Sequence, residues 1–422
     1  MSAIGVRPPE SPLVSVLMLT YGARAWAQRS LSALVANTPP VFELVVLDNA
    51  SPDGTGEWLA AHVSGATLLR NDLNVGFGPG VNQAALHATG RYLCLLNSDA
   101  MVEPGWLEPL LADLEGVAGC GAVVPRLLNL DGTLQEAGAV VGSDGQTMAI
   151  GYGDDPARPW YRFPHYVSYG SGACLCIRRS TFLALGGFDP IYGKGYYEDV
   201  DLCLRMAEAG LWTVYEPCSV VRHVRGASSP SSEVVRLREE NALRFRARWA
   251  THLAELPTLA EMSTHPYRAV AARDCLAPDR ILVIGARLPR APSDWMGRLA
   301  SAIMQVAGRA RVTVIGLDDG APAEEAAWLL DEGVELIWGV GDWEDWMRRA
   351  RCHYSAAVLA DAAVAGRAMA LLNEYQPQAT VVPLPPGAEG GLAEALARVG
   401  VDPGGPAGWG AAHAAQARAQ QH

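Results

Sequence analysis

Three features are scarce or missing in this 422-residue sequence: lysine, positive net charge and long apolar runs. Lys194 is the only lysine, and the formal net charge is −12. Because general nucleic-acid binders gain affinity by neutralising phosphates, this charge argues against a nucleic-acid partner. No apolar stretch approaches the roughly 18 residues that a membrane-spanning helix needs, and the N-terminus has no signal-peptide core. The sequence therefore predicts a cytoplasmic protein.

Cysteine is present but is not arranged for metal binding. The eight cysteines are scattered, and several fall within apolar runs. Cys174 and Cys176 alternate along a predicted strand and so point the same way, yet no second pair completes a zinc site. We expect reduced thiols in the protein core.

Short apolar runs alternate with helical apolar spacing along most of the chain, which is typical of a Rossmann-like α/β fold with a mostly parallel sheet. The chain is longer than one ordinary domain, and the alternation breaks over residues 256–279. We therefore predict a flexible arm (1–12), a large α/β domain (13–255), a linker (256–279), a smaller α/β domain (280–399) and a disordered tail (400–422).

Polar residues follow several predicted strands at the point where each strand ends. The buried strand Tyr92–Leu96 runs directly into Asn97-Ser98-Asp99, and two earlier strands end in Thr20 and Asp48. In open α/β sheets, ligands bind in the crevice outside the carboxyl ends of the strands. Asp99 is therefore a candidate for a metal or phosphate-linked site, with capping of the next helix as the alternative. Asp48 is a candidate for reading a nucleobase or ribose, with an Asx turn as the alternative.

A second acidic group lies further along the chain. Glu198, Asp199 and Asp201 fall within four residues at a predicted helix start, where the helix dipole alone would favour them. A glycine-flanked loop with Lys194 precedes them, as if it delivers the acids to a ligand. One acid is suited to act as a general base, and Asp201 is predicted to cap its own helix. His223 is a lone histidine, and it becomes a candidate metal ligand if Asp99 binds a divalent ion.

An ordered set of short motifs runs through the first half of the chain: Val16–Tyr21, Val45–Ser51, Asn74–Phe77 with Asn82, Leu95–Asp99, Gly186–Asp189, Glu198–Leu202 and His223. Each motif is common by itself, but the whole set in this order and spacing is specific. On these residues the chain resembles the catalytic domain of glycosyltransferase family 2, of the GT-A fold, and in particular its rhamnosyltransferase-type branch. The resemblance covers about half of the chain, from about Ser15 to Ser229.

The resemblance implies a set of donor-binding residues. Thr20 and Tyr21 match positions beside the donor nucleotide, and Asp48 matches the acid that reads its base. Arg70 and Asn74 fall where the family contacts the nucleotide-sugar near its ribose and diphosphate.

The resemblance also implies a divalent metal (Mg²⁺ or Mn²⁺) and a base. Asn97-Ser98-Asp99 stands at the Asp-x-Asp motif of the family. Asn97 replaces the first acid, so that Asp99 would hold the ion, with His223 as a second ligand. Glu198 and Asp199 match the acidic pair of the family, and Asp199 is the expected catalytic base. Lys194, or Arg222 and Arg225, would assist the leaving diphosphate.

These inferences predict an inverting glycosyltransferase that moves a sugar from a nucleotide donor, of the dTDP-rhamnose or UDP-sugar type, to a hydroxyl of a saccharide or glycolipid in cell-surface polysaccharide synthesis. A metal-dependent sugar nucleotidyltransferase and an inactive sugar-binding scaffold are the alternatives. The arginines of the predicted helix that begins at Glu233 are compatible with peripheral contact with the inner face of the membrane. The alternative is a solvated helix. Residues 280–399 resemble a partial GT-B half-domain, expected to be an accessory module.

Overall fold

The computed structural model describes residues 4–117, 119–224, 231–254, 256–260, 274, 279–306, 310–317, 326–331, 333–338, 342–350 and 353–384. The chain divides into two compact units. The first unit comprises Met1–Glu115, Gly119–Pro156 and Tyr166–Leu259, and the second comprises Gly116–Ala118, Ala157–His165 and Ala260–His422. The predicted tail, and the predicted linker apart from residues 256–260, 274 and 279, lie outside the described residues.

The first half of the chain alternates strands and helices. The strands are β1 (Ile4–Gly5), β2 (Val14–Thr20), β3 (Phe42–Asp48), β4 (Val63–Ser64), β5 (Thr67–Arg70), β6 (Tyr92–Leu96), β7 (Ala100–Val102), β8 (Cys120–Leu128), β9 (Leu134–Glu136), β10 (Ala139–Val141), β11 (Thr147–Ala149), β12 (His165–Val167), β13 (Cys174–Arg178) and β14 (Trp212–His223). The helices are α1 (Arg24–Asn37), α2 (Thr55–His62), α3 (Phe77–Ala85), α4 (Leu107–Gly116), α5 (Arg179–Ala184), α6 (Glu198–Glu208) and α7 (Ser231–Leu253).

The predicted strand ends line up in one large sheet. Its strand order is β12-β14-β8-β13-β6-β2-β3-β5, and β2 pairs in parallel with both β3 and β6. Thr20 stands opposite Asp48, and Asp48 stands opposite Arg70 on β5. Parallel strands that are buried on both faces read as continuous apolar runs, which is why β6 stands out in the sequence. The predicted α/β class with a mostly parallel sheet is confirmed, although β13 enters beside β6 antiparallel.

A hairpin follows β8, as the Asp131-Gly132 pair predicts. β9 pairs antiparallel with β8, and the register shifts between Leu127 and Leu128. The segment 142–164, predicted to be a loop, contains β11, which pairs antiparallel with β10. The N-terminal arm also has some structure, because Ile4 and Gly5 pair in parallel with β4.

The described cysteines are free thiols, as expected. Cys94 and Cys176 face each other across β6 and β13 and are buried. Cys218 is exposed and differs from the prediction, because it falls in the irregular stretch of β14 between Glu216 and Val220. Cys275 and Cys352 lie outside the described residues.

The second unit contains a fully parallel five-stranded sheet. Its order is β17-β16-β15-β18-β19, from strands β15 (Arg280–Gly285), β16 (Arg311–Gly316), β17 (Glu335–Ile337), β18 (Ala356–Leu359) and β19 (Thr380–Pro383). Its described helices are α8 (Trp295–Val306), α9 (Ala327–Asp331), α10 (Asp342–Arg349) and α11 (Ala365–Tyr375). Trp343 and Trp346 are buried, so these tryptophans belong to the core rather than to a saccharide-binding face.

The segment 157–165 belongs to this second unit although it lies between strands of the first in sequence. The ring of Trp160 lies 5.5 Å from that of Trp346, and the Arg311 guanidinium lies over Phe163. Within the described residues, no helix is both long and apolar enough to cross a membrane.

Candidate functional site

Asp48 ends β3 as a buried carboxylate held by its neighbour strand. The Thr20 hydroxyl donates to Asp48 Oδ1 at 3.0 Å, and Asp48 is 2% exposed. The amide of Ser51 reaches Asp48 Oδ2 at 3.4 Å, and Arg70 Nε lies 3.8 Å from the same oxygen. The Asx turn predicted as the alternative belongs instead to Asp53, whose Oδ1 accepts from the Thr55 amide at 3.2 Å. Asp48 is therefore fixed at the strand end by tertiary contacts.

Arg70 and Asn74, which are predicted to bind the donor, lie at the end of β5 and in the loop after it. Both make hydrogen bonds to other residues of the protein. Arg70 donates to Glu57 Oε1 at 2.6 Å, and its side chain is 55% exposed. Asn74 Oδ1 accepts from the Gly76 amide at 2.9 Å, which makes Asn74 a loop-shaping residue. Tyr21 is half-buried after β2.

Asn49 is a functional candidate that was missed from the sequence. It is 1% exposed, its Nδ2 donates to Asn74 Oδ1 at 2.9 Å, and its Oδ1 accepts from the Val75 amide at 3.1 Å. One buried amide thus shapes the loop before α3. The only sequence signal was its position directly after Asp48.

The loop before α3 contacts the loop that precedes the acidic pair. Gly76 has φ 98°, and a Cβ there would lie 2.4 Å from the carbonyl oxygen of Gly193. The Phe77 amide donates to the carbonyl of Lys194 at 2.9 Å. Lys194 itself is exposed and its Nζ pairs with Glu233 at 3.1 Å. The Gly193-Lys194-Gly195 segment is therefore fixed against the donor-side loop, and the Lys194 side chain points to an acid on α7.

Asn97, Ser98 and Asp99 follow β6, and β14 brings His223 to them. His223 Nε2 lies 3.3 Å from Asp99 Oδ1 and 3.4 Å from Asn97 Nδ2. Ser98 and Asp99 are buried, and Asn97 is half-buried. Asp99 leads into β7 rather than into a helix, so the capping alternative is wrong. His223 Nδ1 lies 2.7 Å from Gln135 Oε1, a contact that no sequence pattern indicated.

The Asp99–His223 pair matches the chemistry of a divalent cation. Two ligands with bonds of about 2.1 Å at adjacent octahedral positions lie roughly 3 Å apart, close to the observed separation. In the described part of the chain, no group of three or more His, Cys, Asp or Glu side chains could hold a metal. A pair of this kind fits an ion that also takes substrate phosphate and water oxygens, as Mg²⁺ commonly does.

Glu198 and Asp199 open α6 in a buried setting. Glu198 is 6% exposed, and its Oε2 has no hydrogen-bond partner among the described residues. Burial, followed by the charge of Asp199, raises the pKa of Glu198. Burial also raises the pKa of Asp199, although the amides of Gly172 and Val200 donate to it at 3.0 and 2.9 Å and oppose the shift. A carboxylate with a raised pKa is suited to proton transfer near neutral pH.

The backbone before this pair adopts an unusual conformation. Tyr196 and Tyr197 have φ 74° and 75°, a region that side-chain-bearing residues rarely occupy. The Tyr197 hydroxyl donates to the carbonyl of Gly145 at 3.0 Å, and its ring packs against Phe245. Such conformations persist only where the surroundings enforce them, and they cluster at functional sites.

Two buried residues enforce this conformation, and one of them has a role different from the predicted one. Asn241 donates to the carbonyls of Tyr192, Gly195 and Tyr196 at 2.8 to 3.0 Å. The prediction that Asp201 caps its own helix is wrong. Asp201 is 0% exposed and accepts hydrogen bonds from Tyr192, Arg205 and Trp249.

The segment before β13 links the acidic pair to the end of β6. The Asn97 amide donates to the carbonyl of Ala173 at 2.9 Å, and the adjacent Gly172 amide donates to Asp199 Oδ2. Arg222, predicted to assist the diphosphate, donates to Glu103 at 2.6 Å, and Arg225 lies outside the described residues. Asn97, two residues before Asp99, is thus connected to Asp199 through the consecutive residues Gly172 and Ala173.

The sequence comparisons relate part of the first unit to a known family. Residues 15–132 match the model of glycosyl transferase family 2. Residues 15–132 thus carry the sequence pattern of a glycosyltransferase family 2 domain, which supports the predicted enzyme class for that part of the chain. Residues 133–422 lie outside the match.

Relatives are similar at modest identity. An N-acetylglucosaminyl-diphospho-decaprenol L-rhamnosyltransferase of Mycobacterium tuberculosis is 28% identical over 239 residues, which cover 51% of this chain and 78% of that protein. An O-antigen biosynthesis protein of Myxococcus xanthus is 27% identical over 291 residues, which cover 63% of this chain but 21% of that protein. A crystal structure of GalNAc-T7 with UDP, GalNAc and Mn²⁺ is 19% identical, with a TM-score of 0.44, and covers 57% of this chain and 48% of that one.

Proposed function

We propose that this protein is an inverting glycosyltransferase that moves a sugar from a nucleotide-diphosphate donor to a hydroxyl of a saccharide or lipid-linked glycan in cell-surface polysaccharide synthesis. The observation that carries the proposal is the connection between two sets of residues. Gly172 and Ala173 link the half-buried carboxylate of Asp199 to the residues after β6, where Asp99 faces His223. Such a transfer requires two parts. One is a site that binds the metal ion and the diphosphate, and the other is a base with a raised pKa.

The donor nucleotide is assigned to the ends of β2, β3 and β5. Asp48 offers its carboxylate to the base, and Thr20 holds that carboxylate in place. Tyr21 and Arg70 flank the same edge, while Asn49 and Asn74 shape the neighbouring loop. Asn97 and Ser98 continue the edge toward the diphosphate.

A divalent ion, Mg²⁺ or Mn²⁺, is assigned to Asp99 and His223. When bound, it would neutralise the charge that develops on the leaving diphosphate. Asp99 supplies the oxygen ligand and His223 the nitrogen ligand, while Asn97 adds only an amide where the family pattern has a carboxylate. Lys194 is exposed on the segment that contacts the loop before α3, and it is assigned to diphosphate binding in place of its contact with Glu233.

Asp199 is assigned as the base. It accepts the proton of an acceptor hydroxyl while the new bond forms between that oxygen and the anomeric carbon and the bond to the phosphate oxygen breaks. The nucleoside diphosphate leaves from the opposite face, so a single displacement inverts the anomeric centre. Glu198 is buried, and its burial and the charge of Asp199 raise its pKa. It is assigned to orienting the acceptor.

Donor and acceptor identities follow from the relatives as part of the proposal. The name of the L-rhamnosyltransferase relative supports a rhamnose donor and a lipid-linked glycan as acceptor. We assign dTDP-rhamnose as the first candidate donor and a UDP-sugar as the second. Such an acceptor implies contact with a membrane surface. The arginines of α7 give that contact little support, since Arg236 pairs with Glu240 and Arg248 with Asp189.

The test is a screen of nucleotide-sugars followed by product analysis. We expect dTDP-rhamnose or a UDP-sugar with Mn²⁺ to raise the melting temperature, since a ligand that binds only the folded state stabilises it. The stabilising donor should then release its nucleoside diphosphate when a saccharide acceptor is present. Formation of a nucleotide-sugar from a nucleoside triphosphate and a sugar phosphate would instead show a nucleotidyltransferase, and the absence of turnover with any donor would indicate a scaffold.

A further inference from the structure

We infer that Gln135 is a positioning residue that fixes the imidazole of His223 in one tautomer and directs its Nε2 lone pair toward Asp99. The role of this tautomer in metal binding rests on the proposed function. The tautomer itself is argued only from a chain of hydrogen bonds. Gln135 is 4% exposed, and 88 residues separate it from His223.

The orientation of the Gln135 amide is determined by a backbone carbonyl. Its Nε2 lies 2.9 Å from the carbonyl oxygen of His223, a group that can only accept. The same nitrogen lies 3.0 Å from Asn129 Oδ1. Asn129 is oriented in turn, because its Nδ2 donates to the carbonyl of Leu134 at 3.3 Å and to the Thr133 hydroxyl at 2.9 Å. The NH₂ group of Gln135 must therefore face His223 O and Asn129.

The tautomer of His223 follows from this orientation. With its NH₂ group committed, Gln135 presents only Oε1 to His223 Nδ1, at 2.7 Å. An oxygen without a hydrogen requires a donor opposite, so Nδ1 carries the proton. In a neutral imidazole the other nitrogen is then an acceptor. Nε2 lies 3.3 Å from Asp99 Oδ1, and the Asn97 amide nitrogen, 3.4 Å away, can donate to its lone pair. A nitrogen lone pair beside a carboxylate oxygen is the donor pair that a divalent cation accepts.

A local backbone irregularity places Gln135 at this point. On β9, Leu134 stands opposite Leu128 and Glu136 opposite Leu127, so Gln135 is the extra residue of a bulge. Bulges re-aim a side chain and occur beside active sites. The preceding turn is fixed by Asp131, whose Oδ1 accepts from the Thr133 amide at 2.9 Å and from its hydroxyl at 2.7 Å. The turn at Asp131 and the bulge at Gln135 together place the Gln135 amide beside His223.

Ligating histidines commonly donate their second ring N–H to a fixed acceptor, and loss of that acceptor typically lowers metal affinity about 10- to 100-fold. We assign that acceptor role to Gln135. A methionine at position 135 would keep the length of the side chain but remove its hydrogen bonds to Asn129 Oδ1, His223 O and His223 Nδ1. The imidazole would then be free to place its proton on Nε2, where it would oppose a cation at Asp99.

The direct test is nitrogen NMR of the metal-free protein labelled with ¹⁵N-histidine, with the His223 signals assigned by their loss in His223→Gln. We expect a protonated Nδ1 and an unprotonated Nε2 in the unsubstituted protein and a loss of this tautomer in Gln135→Met. Gln378→Met is the matched control, since Gln378 donates to the carbonyl of Tyr354 at 2.8 Å in the second unit. The control is expected to leave the His223 signals unchanged.

Mn²⁺ added alone, and measured by electron paramagnetic resonance, gives the second readout. We expect the dissociation constant to rise about 10- to 100-fold in Gln135→Met and not in the control. A protonated Nε2 in the unsubstituted protein, or a retained Nδ1 proton in Gln135→Met, would overturn the inference, and the first of these needs no variant to fold. If the tautomer results are as expected but the unsubstituted protein binds no Mn²⁺, the positioning role stands and the metal assignment of the proposed function fails.

Discussion

The amide of Gly172 donates to Asp199 Oδ2 at 3.0 Å, and this bond ties the proposed base to the segment before β13. Gly172 has its own constraint, because a Cβ there would lie 3.2 Å from the Phe77 ring. The carboxylate is thus held by backbone rather than by a mobile side chain. The carboxylate can still accept a proton from the hydroxyl of an acceptor.

Asp199→Asn should reduce sugar transfer by about 10²- to 10⁴-fold, the usual contribution of a general base. The amide keeps the size of the side chain but cannot take the acceptor proton. Donor binding, measured by thermal stabilisation with the active nucleotide-sugar, should be largely retained. Asp72→Asn, an exposed site with the same change of chemistry, is the control and should keep full activity. Near-normal transfer by Asp199→Asn would refute the assignment of the base.

Gly76→Ala should disturb the loop that precedes the acidic pair. The new Cβ would lie 2.4 Å from the Gly193 carbonyl, so that the 193–195 segment must shift. Gly105→Ala is the matched control, because Gly105 also has positive φ (74°) but a Cβ there would meet nothing within 4 Å. Both variants should lose stability to backbone strain, by about 1 kcal/mol. Only Gly76→Ala should also lose activity, and an equal loss in the control would show that the contact has no functional role.

A buried acid outside the site should make stability fall as pH rises. Burial, then the charge of Asp113, raises the pKa of Glu216 from 4.5 to about 8. Between these values the folded state keeps a proton that the unfolded state releases. The free energy of unfolding therefore falls with increasing pH, by at most about 1.4 kcal/mol per pH unit for one such group.

Glu216→Gln should make this decline shallower over pH 5 to about 8, because the amide accepts from the Cys218 amide as Glu216 does at 2.6 Å but has no proton to release. Denaturant melts at several pH values would measure the difference. Glu208→Gln, on the exposed end of α6, should leave the slope unchanged. A slope in Glu216→Gln identical to that of the unsubstituted protein would contradict the raised pKa.

Asp99→Asn should weaken Mn²⁺ binding and donor turnover together. Among the described residues, Asp99 is the only carboxylate in contact with His223 Nε2. Asparagine keeps the shape of this side chain but removes its charge. We expect at least a roughly 10-fold rise in the Mn²⁺ dissociation constant, since a neutral amide is a weaker ligand for a hard cation. Asp53→Asn, in the turn after β3, is the control. Unchanged metal affinity and turnover in Asp99→Asn would place the ion elsewhere.

Much of the fold could be predicted from the sequence, because the buried parallel strands are continuous apolar runs with polar ends. Thr20, Asp48 and Asp99 stood out for that reason, and the structure places each of them at a strand end. Asp201 was misread because a carboxylate in the first turn of a helix usually faces its own backbone. Here Tyr192 and Trp249 donate to it from other segments, and Arg205 donates from one turn further along α6.

The sequence by itself determined the class of the first unit and the residue types of its site: apolar strand cores, an acid after β6 and an acidic pair at the start of α6. Only the tertiary structure decided which of these side chains are held by neighbours. Asn49 shapes the donor-side loop, Asn241 holds the strained segment before Glu198, and Gln135 orients His223. The physical reason is distance along the chain, since hydrogen bonds between residues many tens of positions apart leave no local periodicity. They arise when the sheet brings its strand ends together.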